Sequence, residues 1–161
     1  MTSDLPDPSE IRAALDQRAV IDAVSRMFRS FDTHDHSEET ATRFLTEDVR
    51  VTTPVGTAEG LAEVTRLNAE ALGRFAGTQH QATDVLVELA PNGETAVADW
   101  NALMTHVHHD STLRQRGPGA DPLFVVGGRW HGELIRTPHG WRFRALTVER
   151  VWSRGEPPTL G

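Results

Sequence analysis

The hydrophobic periods of the chain predict an α+β fold, helices grouped ahead of an antiparallel meander. Three observations carry this. Apolar residues recur at three- and four-residue steps over residues 11–31 and again over 61–72. After Gly77 the period falls to two, as in half-buried strands. Between two alternating stretches stands Asn92-Gly93, a dipeptide suited to a tight hairpin turn.

Taken in order, residues 1–8 are polar with two prolines and are expected to be loose. Ser9 is the expected N-cap of a long first helix. Its apolar positions are Ile11, Leu15, Ile21, Val24, Met27, Phe28 and Phe31, with a slip near Arg18. Asp35, followed three residues later by Glu38, reads as a capping box for a short helix through Phe44. "VRVTTP" reads as a short strand, and "GLAEVTRLNAEALGRF" as a third helix with Leu61, Val64, Leu67 and Leu72 on its apolar face. "HQATDVLVELA", "TAVADWNALMTHVH", "LFVVGGRWHGELIRT" and "WRFRALTVERVW" are the long strands, with "HDSTLRQRGPGADP" a polar loop between the second and third. Gly127-Gly128 in mid-strand marks a kink or bulge. One domain over residues 9–152, followed by a flexible tail at 153–161, accounts for the pattern. Such a sheet wrapped around the first helix leaves a cone, and a cone open at one end makes a pocket.

Composition narrows the chemistry. The 161 residues suit a single domain with a core of its own. No apolar run approaches the roughly 18 residues of a membrane span. "MTSDLPDPSE" lacks the basic start and apolar run of a secretory signal, so a cytoplasmic location is the expectation. A net charge of −7 argues against a broad nucleic-acid surface. The chain has no Cys, no Tyr and no Lys; all 16 basic residues are Arg. That excludes a thiolate nucleophile, a disulfide and a Schiff-base lysine. Proton carriers must come from Asp, Glu and the eight His.

"FDTHD", "FLTEDVRVTTPVGTAEG", "TQHQATDVLVEL" and "GRWHGELIRTPHGWRFRALTVERVW" together resemble the SnoaL-like branch of the nuclear transport factor 2-like superfamily, over roughly residues 9–152. The resemblance implies a cone-shaped α+β barrel, a curved and mostly antiparallel sheet wrapped around the N-terminal helix, with three helices. It also implies a homodimer and a small-molecule substrate, with no cofactor and no metal. Relatives include scytalone dehydratase, ketosteroid isomerase, limonene epoxide hydrolase and polyketide cyclases, alongside members without catalysis, so fold alone settles little about activity.

Asp32 resembles the Asp that ends the first helix of dehydratase-like members and orients a pocket His. A carboxylate at a helix C-terminus opposes the dipole by about 0.3–1 kcal/mol, so its presence there calls for compensation. His80 resembles the strand-borne pocket His of the same members; strand parity sets Ala82 and Asp84 on its face. His106 is the second candidate imidazole. If it faces inward, Trp100, Ala102 and Met104 do too; the opposite face would present Asp99, Asn101, Thr105 and Val107. Phe28, Phe31, Trp100, Asn101, Met104, Arg129 and Trp130 complete the candidate substrate-binding set. Scytalone dehydratase holds its water with tyrosines, which this chain lacks, so Asn101, indole groups or Thr must substitute. His106-x-His108 beside Asp110 has the spacing of a metal pair, but solvated imidazoles are the expectation there. His34 and His36 are expected at the surface, and Asp35 in the turn. Three functions follow. The first is an Asp/His lyase or isomerase of dehydratase or cyclase type, acting on an apolar oxygenated ring. The second is epoxide hydration by an Asp–Arg–Asp relay drawn from Asp32, Asp84, Asp99 and Arg129. The third is a non-catalytic binding module.

Overall fold

The computed structural model describes residues 7–158. Helix α1 (Pro8–Asp32) begins with a capping box in which Asp7 accepts the Ser9 amide and Glu10 accepts the Asp7 amide. The cap is therefore Asp7 and not Ser9. Pro8, with no N–H and a helical φ, takes the first helical position and sets the cap before it. The face that reaches the core runs through Val20, Val24, Met27, Phe28 and Phe31. Ile11 and Leu15, expected on that face, are 46% and 63% exposed. Asp16 anchors the helix to the sheet. The Arg136 guanidinium grips its carboxylate at 2.6 and 3.0 Å, and the Trp141 indole donates to it at 3.2 Å.

Helix α2 (Glu38–Ala41) is one turn long, shorter than expected. Ser37 caps it by accepting the Thr40 amide, while Asp35 accepts the Ser37 and Thr40 hydroxyls at 2.8 and 2.7 Å. Asp35 thus belongs to the turn, two residues before the cap. Strand β1 (Leu45–Thr53) and the short β2 (Gly56–Glu59), which the periodicity did not disclose, form a hairpin before α3 (Leu61–Leu72). Four long strands follow: β3 (Phe75–Leu89), β4 (Thr95–His108), β5 (Leu123–Thr137) and β6 (Gly140–Arg154). Between β4 and β5 the expected polar loop contains a fourth helix, α4 (Asp110–Arg116), with no buried residue.

The strands form one curved, open, mixed sheet in the order β2-β1-β6-β5-β4-β3. Among the described residues only β1 and β6 pair in parallel. With helices on its concave side this is the expected cone-type α+β fold, carrying four helices among the described residues where three were expected. The β3–β4 turn is the expected hairpin: Gly93 has φ +70° and Asn92 accepts the Glu94 amide at 2.9 Å. The bulge expected at Gly127-Gly128 is present in the β5–β6 pairing. A Cβ on Gly127 would collide with the Trp152 ring, which lies across it on the outer face.

Strict alternation along β4 buries Ala96, Ala98, Trp100, Ala102, Met104, His106 and His108 against the helices. The register left open by the sequence is the one with His106 inward. Among the described residues no helix is long and apolar enough to cross a membrane. Ser153 and Arg154 continue β6, so the expected tail starts later. Of the loose ends expected at 1–8 and 153–161, Asp7 and Pro8 instead cap and begin α1, and residues 1–6 and 159–161 lie outside the described residues.

Candidate active site

The last residue of α1 meets the start of β3. The Asp32 carboxylate accepts the His80 backbone amide at 2.9 and 3.1 Å, the Thr78 hydroxyl at 3.1 Å and the His80 ring Nδ1 at 2.7 Å. These four bonds supply the compensation that a carboxylate at a helix C-terminus requires. A carboxylate only accepts, so the bond assigns the proton to Nδ1 and leaves Nε2 of His80 as a lone-pair base. The ring side chain is 4% exposed. Burial pushes the His80 imidazole below its ordinary value, against the opposing pull of the Asp32 bond and charge.

His106, one register step along β4, stands with its ring centroid 5.7 Å from that of His80, edge to face. Its Nδ1 donates to the Phe124 carbonyl at 3.0 Å, so its Nε2 also carries a lone pair. Burial pushes His106 down to about 4, partly offset by that carbonyl, and the neighbouring imidazoles add to the depression. At neutral pH the site holds two uncharged imidazoles, only one of which is backed by a carboxylate.

Rings enclose the pair. Phe28 and Phe31 lie 5.3 and 5.4 Å from His80. Phe75 and Phe124 flank His106 at 4.6 and 5.8 Å. Trp100 and Trp130, cross-strand partners on β4 and β5, stack at 5.7 Å and meet Phe28 at 6.2 and 5.2 Å. Met104 is buried in the same wall. The dyad is thus embedded in packed rings. A groove of about 530 Å³ lies across α1, between Arg18, Arg26, Arg29 and Arg43. Where a hollow over Asp32 and His80 was expected, Phe28 and Phe31 pack against the His80 ring.

Several expected site residues stand elsewhere. Asn101 and Arg129 lie on the outer, exposed face, where Asn101 donates to Asp84 at 3.2 Å and Arg129 approaches Glu149 at 3.8 Å. Each neighbours an inward Trp, and strand parity sends it the other way. Asp84 leaves the His80 face because a bulge between Thr83 and Leu86 inserts a residue there, with Asp84 at φ +54°. Asp99 is also outward, paired with His131. With Asp84, Asp99 and Arg129 outside, the Asp–Arg–Asp relay has no counterpart around Asp32. His36 is half-buried rather than on the surface, and burial lowers its imidazole.

Other functional neighbours escaped the sequence reading. Thr78 was legible, two residues before His80 on the same strand face. The Phe124 carbonyl was not, since a backbone acceptor leaves no mark in residue type. His108 is 2% exposed, and its Nε2 lies 3.0 Å from both the Glu156 carbonyl and the Arg116 guanidinium. Arg116 also donates to the Pro157 carbonyl at 2.6 Å, tying α4 to the chain after β6. His106 and His108 are therefore spoken for separately. Among the described residues no three His, Asp or Glu side chains are placed to hold a metal ion.

The fold agrees with what known proteins show. Among solved structures, the Kfla4162 protein from Kribbella flavida superposes with a TM-score of 0.78 at 16% identity, over 88% of this chain and 95% of that one. A chain provisionally assigned as a scytalone dehydratase, from Novosphingobium aromaticivorans, gives 0.74 at 18% identity, over 89% of each chain. A LinA-type hexachlorocyclohexane dehydrochlorinase from Novosphingobium barchaimii gives 0.75 at 14% identity, over 91% of this chain and 94% of that one. Identities this low establish shared fold alone. No curated protein matches the sequence. The model of the SnoaL-like domain matches residues 12–147, nearly the whole folded region, and the chain belongs to that family.

Proposed function

We propose that the chain is a cofactor-independent lyase or isomerase of dehydratase or cyclase type, with His80 as its base and Asp32 as the group that orients it. The substrate class is a small apolar ring bearing oxygen. One observation carries the reading: a buried imidazole whose Nδ1 is held at 2.7 Å by a carboxylate, leaving Nε2 unprotonated. In an elimination, Nε2 takes the proton alpha to a carbonyl. The C–H pair becomes the new double bond, and the C–O bond to the leaving hydroxyl breaks. Asp32 stabilises the imidazolium that forms. That imidazolium returns its proton to the departing hydroxide, which leaves as water. His106, lowered to about 4, is uncharged at neutral pH and acts as an acceptor that positions a water or hydroxyl, not as the acid. A single base serving both steps favours loss of H and OH from one face. Two structural neighbours support the class by name: a dehydratase loses water and a dehydrochlorinase loses hydrogen chloride.

The test is turnover of hydroxylated ring ketones by Asp32→Asn and His80→Ala. Each should lower kcat by about 10²–10⁴-fold with the fold intact by circular dichroism. Undiminished turnover in either excludes the reading. Ligand-induced thermal shifts without turnover in the parent chain favour the binding-module alternative.

The chain is further proposed to be a homodimer through the outer face of β3–β6. Leu86 is 69% exposed there, Leu103 37%, Val107 40% and Trp152 49%, an unusual set of large apolar side chains on one sheet face. Size-exclusion chromatography at micromolar concentration should return twice the 17.8 kDa chain mass. A monomer at that concentration refutes it.

A further inference from the structure

Helix α1 has a second face. Val20, Val24, Met27, Phe28 and Phe31 pack into the core, where the two Phe rings touch His80. Arg18, Asp22, Arg26, Arg29 and Thr33 recur at three- and four-residue steps on the opposite side. There they form one wall of the groove of about 530 Å³. Asp35, Thr40, Arg43 and Phe44, on either side of α2 and within it, form the other wall. Small-molecule sites span roughly 300–1,000 Å³, so the groove is of that size.

The chain has a net charge of −7, yet four arginines and two aspartates line this groove, a local excess of two positive charges. Both acids are engaged. Asp22 accepts the Arg18 Nε at 3.0 Å. Asp35 accepts the Ser37 and Thr40 hydroxyls at 2.8 and 2.7 Å. Arg43 comes no nearer than 3.9 Å to Glu39. Among the described residues Arg26 and Arg29 have no carboxylate within 4 Å, and their guanidinium groups have no acceptor. Three residues apart on one helix, they are neighbours of like charge, which repel. Arg29 stands in the last turn, where the helix dipole favours a cation; Arg26 lies before that turn and has no such support.

We infer that Arg26 and Arg29 anchor a binding site for a phosphate group, and that the ligand is a small phosphate monoester. A guanidinium presents a planar fork of donors that matches phosphate oxygens. A phosphate monoester has three terminal oxygens and a charge of about −1.5 to −2 at pH 7. One such group can serve two neighbouring forks and cancel the excess of two charges. A carboxylate has two oxygens and one charge, so it leaves one fork unused. Arg43 approaches from the opposite wall, and the rest of the groove takes the organic part beside Phe44. The site lies across α1 from Phe28 and Phe31, and it stands whether or not His80 is a base.

The probe is phenyl phosphate, titrated into the full chain at about pH 7 and low salt. Calorimetry gives the affinity, and ¹H–¹⁵N spectra follow the arginine Nε–H resonances. Those of Arg26 and Arg29 are identified by their loss in Arg26→Gln and Arg29→Gln. Both should move in the parent chain on adding phenyl phosphate. In Arg26→Gln/Arg29→Gln the affinity should fall about tenfold, the worth of two exposed charge pairs. Both side chains are exposed, so the variant should keep the parent's circular dichroism spectrum. Arg114→Gln/Arg154→Gln removes the same charge from exposed arginines outside the groove and should leave the affinity within about twofold. Phenol, without the anion, should not bind, and succinate should bind more weakly. Inorganic phosphate separates the two sources of the group: weaker binding than phenyl phosphate supports a monoester, and equal binding overturns the ester in favour of the free ion. Arg26 and Arg29 resonances unmoved at roughly 10 mM phenyl phosphate overturn the site itself. So do equal losses in the two double variants, or succinate bound as tightly as phenyl phosphate.

Discussion

Among the described residues stand two Asp–His pairs of nearly equal bond length. In one, the Asp32 carboxylate holds Nδ1 of His80 at 2.7 Å; in the other, Asp99 holds Nδ1 of His131 at 2.8 Å. Asp99 and His131 are direct cross-strand partners on β4 and β5, facing outward, with side chains 57% and 46% exposed. Asp32 and His80 come from a helix end and a strand 48 residues away, and the ring is 4% exposed. The bond is the same and the surroundings differ. Around His80, rings keep water from the imidazole, and the carboxylate has two further donors, the Thr78 hydroxyl and the His80 amide, that fix its own orientation. Around His131 in the single chain, water competes for every hydrogen bond and screens every charge. Bond length alone therefore does not mark a catalytic dyad; the second set of contacts does.

The largest expected difference between the pairs is in turnover. Asp99→Asn and His131→Gln should leave kcat within about twofold, where Asp32→Asn and His80→Ala lose about two to four orders of magnitude. The four variants are measured side by side on the same ring ketone. Equal losses from both pairs would show that the outer pair supports the site, and the contrast drawn from burial would fail.

A second difference concerns pH and stability. His106 is held at about 4 in the fold, and burial lowers His80 as well. An unfolded His titrates near 6.5, so between 6.5 and about 4 the unfolded chain binds more protons than the folded one. The contribution is complete above the unfolded value and is lost as pH falls through this window. Its size approaches about 3 kcal/mol for His106 alone. Urea unfolding at pH 7.5 and 4.5 measures it. His106→Phe should flatten the slope, whereas His131→Gln should leave it steep.

Much of this contrast was legible in residue order. Period three-four, then period two, with Asn92-Gly93 between strands, was enough for the α+β class and the long strands. The acid that ends α1 and the His that opens β3 stood out because a carboxylate at a helix C-terminus is out of place. The resemblance supplied their meeting; no local period reaches 48 residues. The errors have local causes. Helix α4 was missed because "DSTLRQR" has no apolar stripe, and β2 because four residues are too few to show alternation. Asp84 was given the wrong face because one extra residue in a bulge resets the count. Asn101 and Arg129 were chosen for their chemistry although each adjoins a Trp also placed inside, and neighbours on a strand cannot share a face. The outer dyad was invisible until β4–β5 register paired Asp99 with His131.

The smallest expected effect sharpens the comparison most. A double-mutant cycle on Asp99 and His131, read by urea unfolding at neutral pH, should give a coupling of about 0.2–1 kcal/mol, the range of exposed pairs. Raising salt from 0.05 to about 1 M shortens the screening length from above 10 Å to about 3 Å and should erase most of it. The same cycle on Asp32 and His80 should give a larger coupling that salt barely changes, because the surrounding rings exclude ions as they exclude water. If both couplings fall together with salt, the His80 ring is reached by solvent, and the barrier of Phe28 and Phe31 is no barrier.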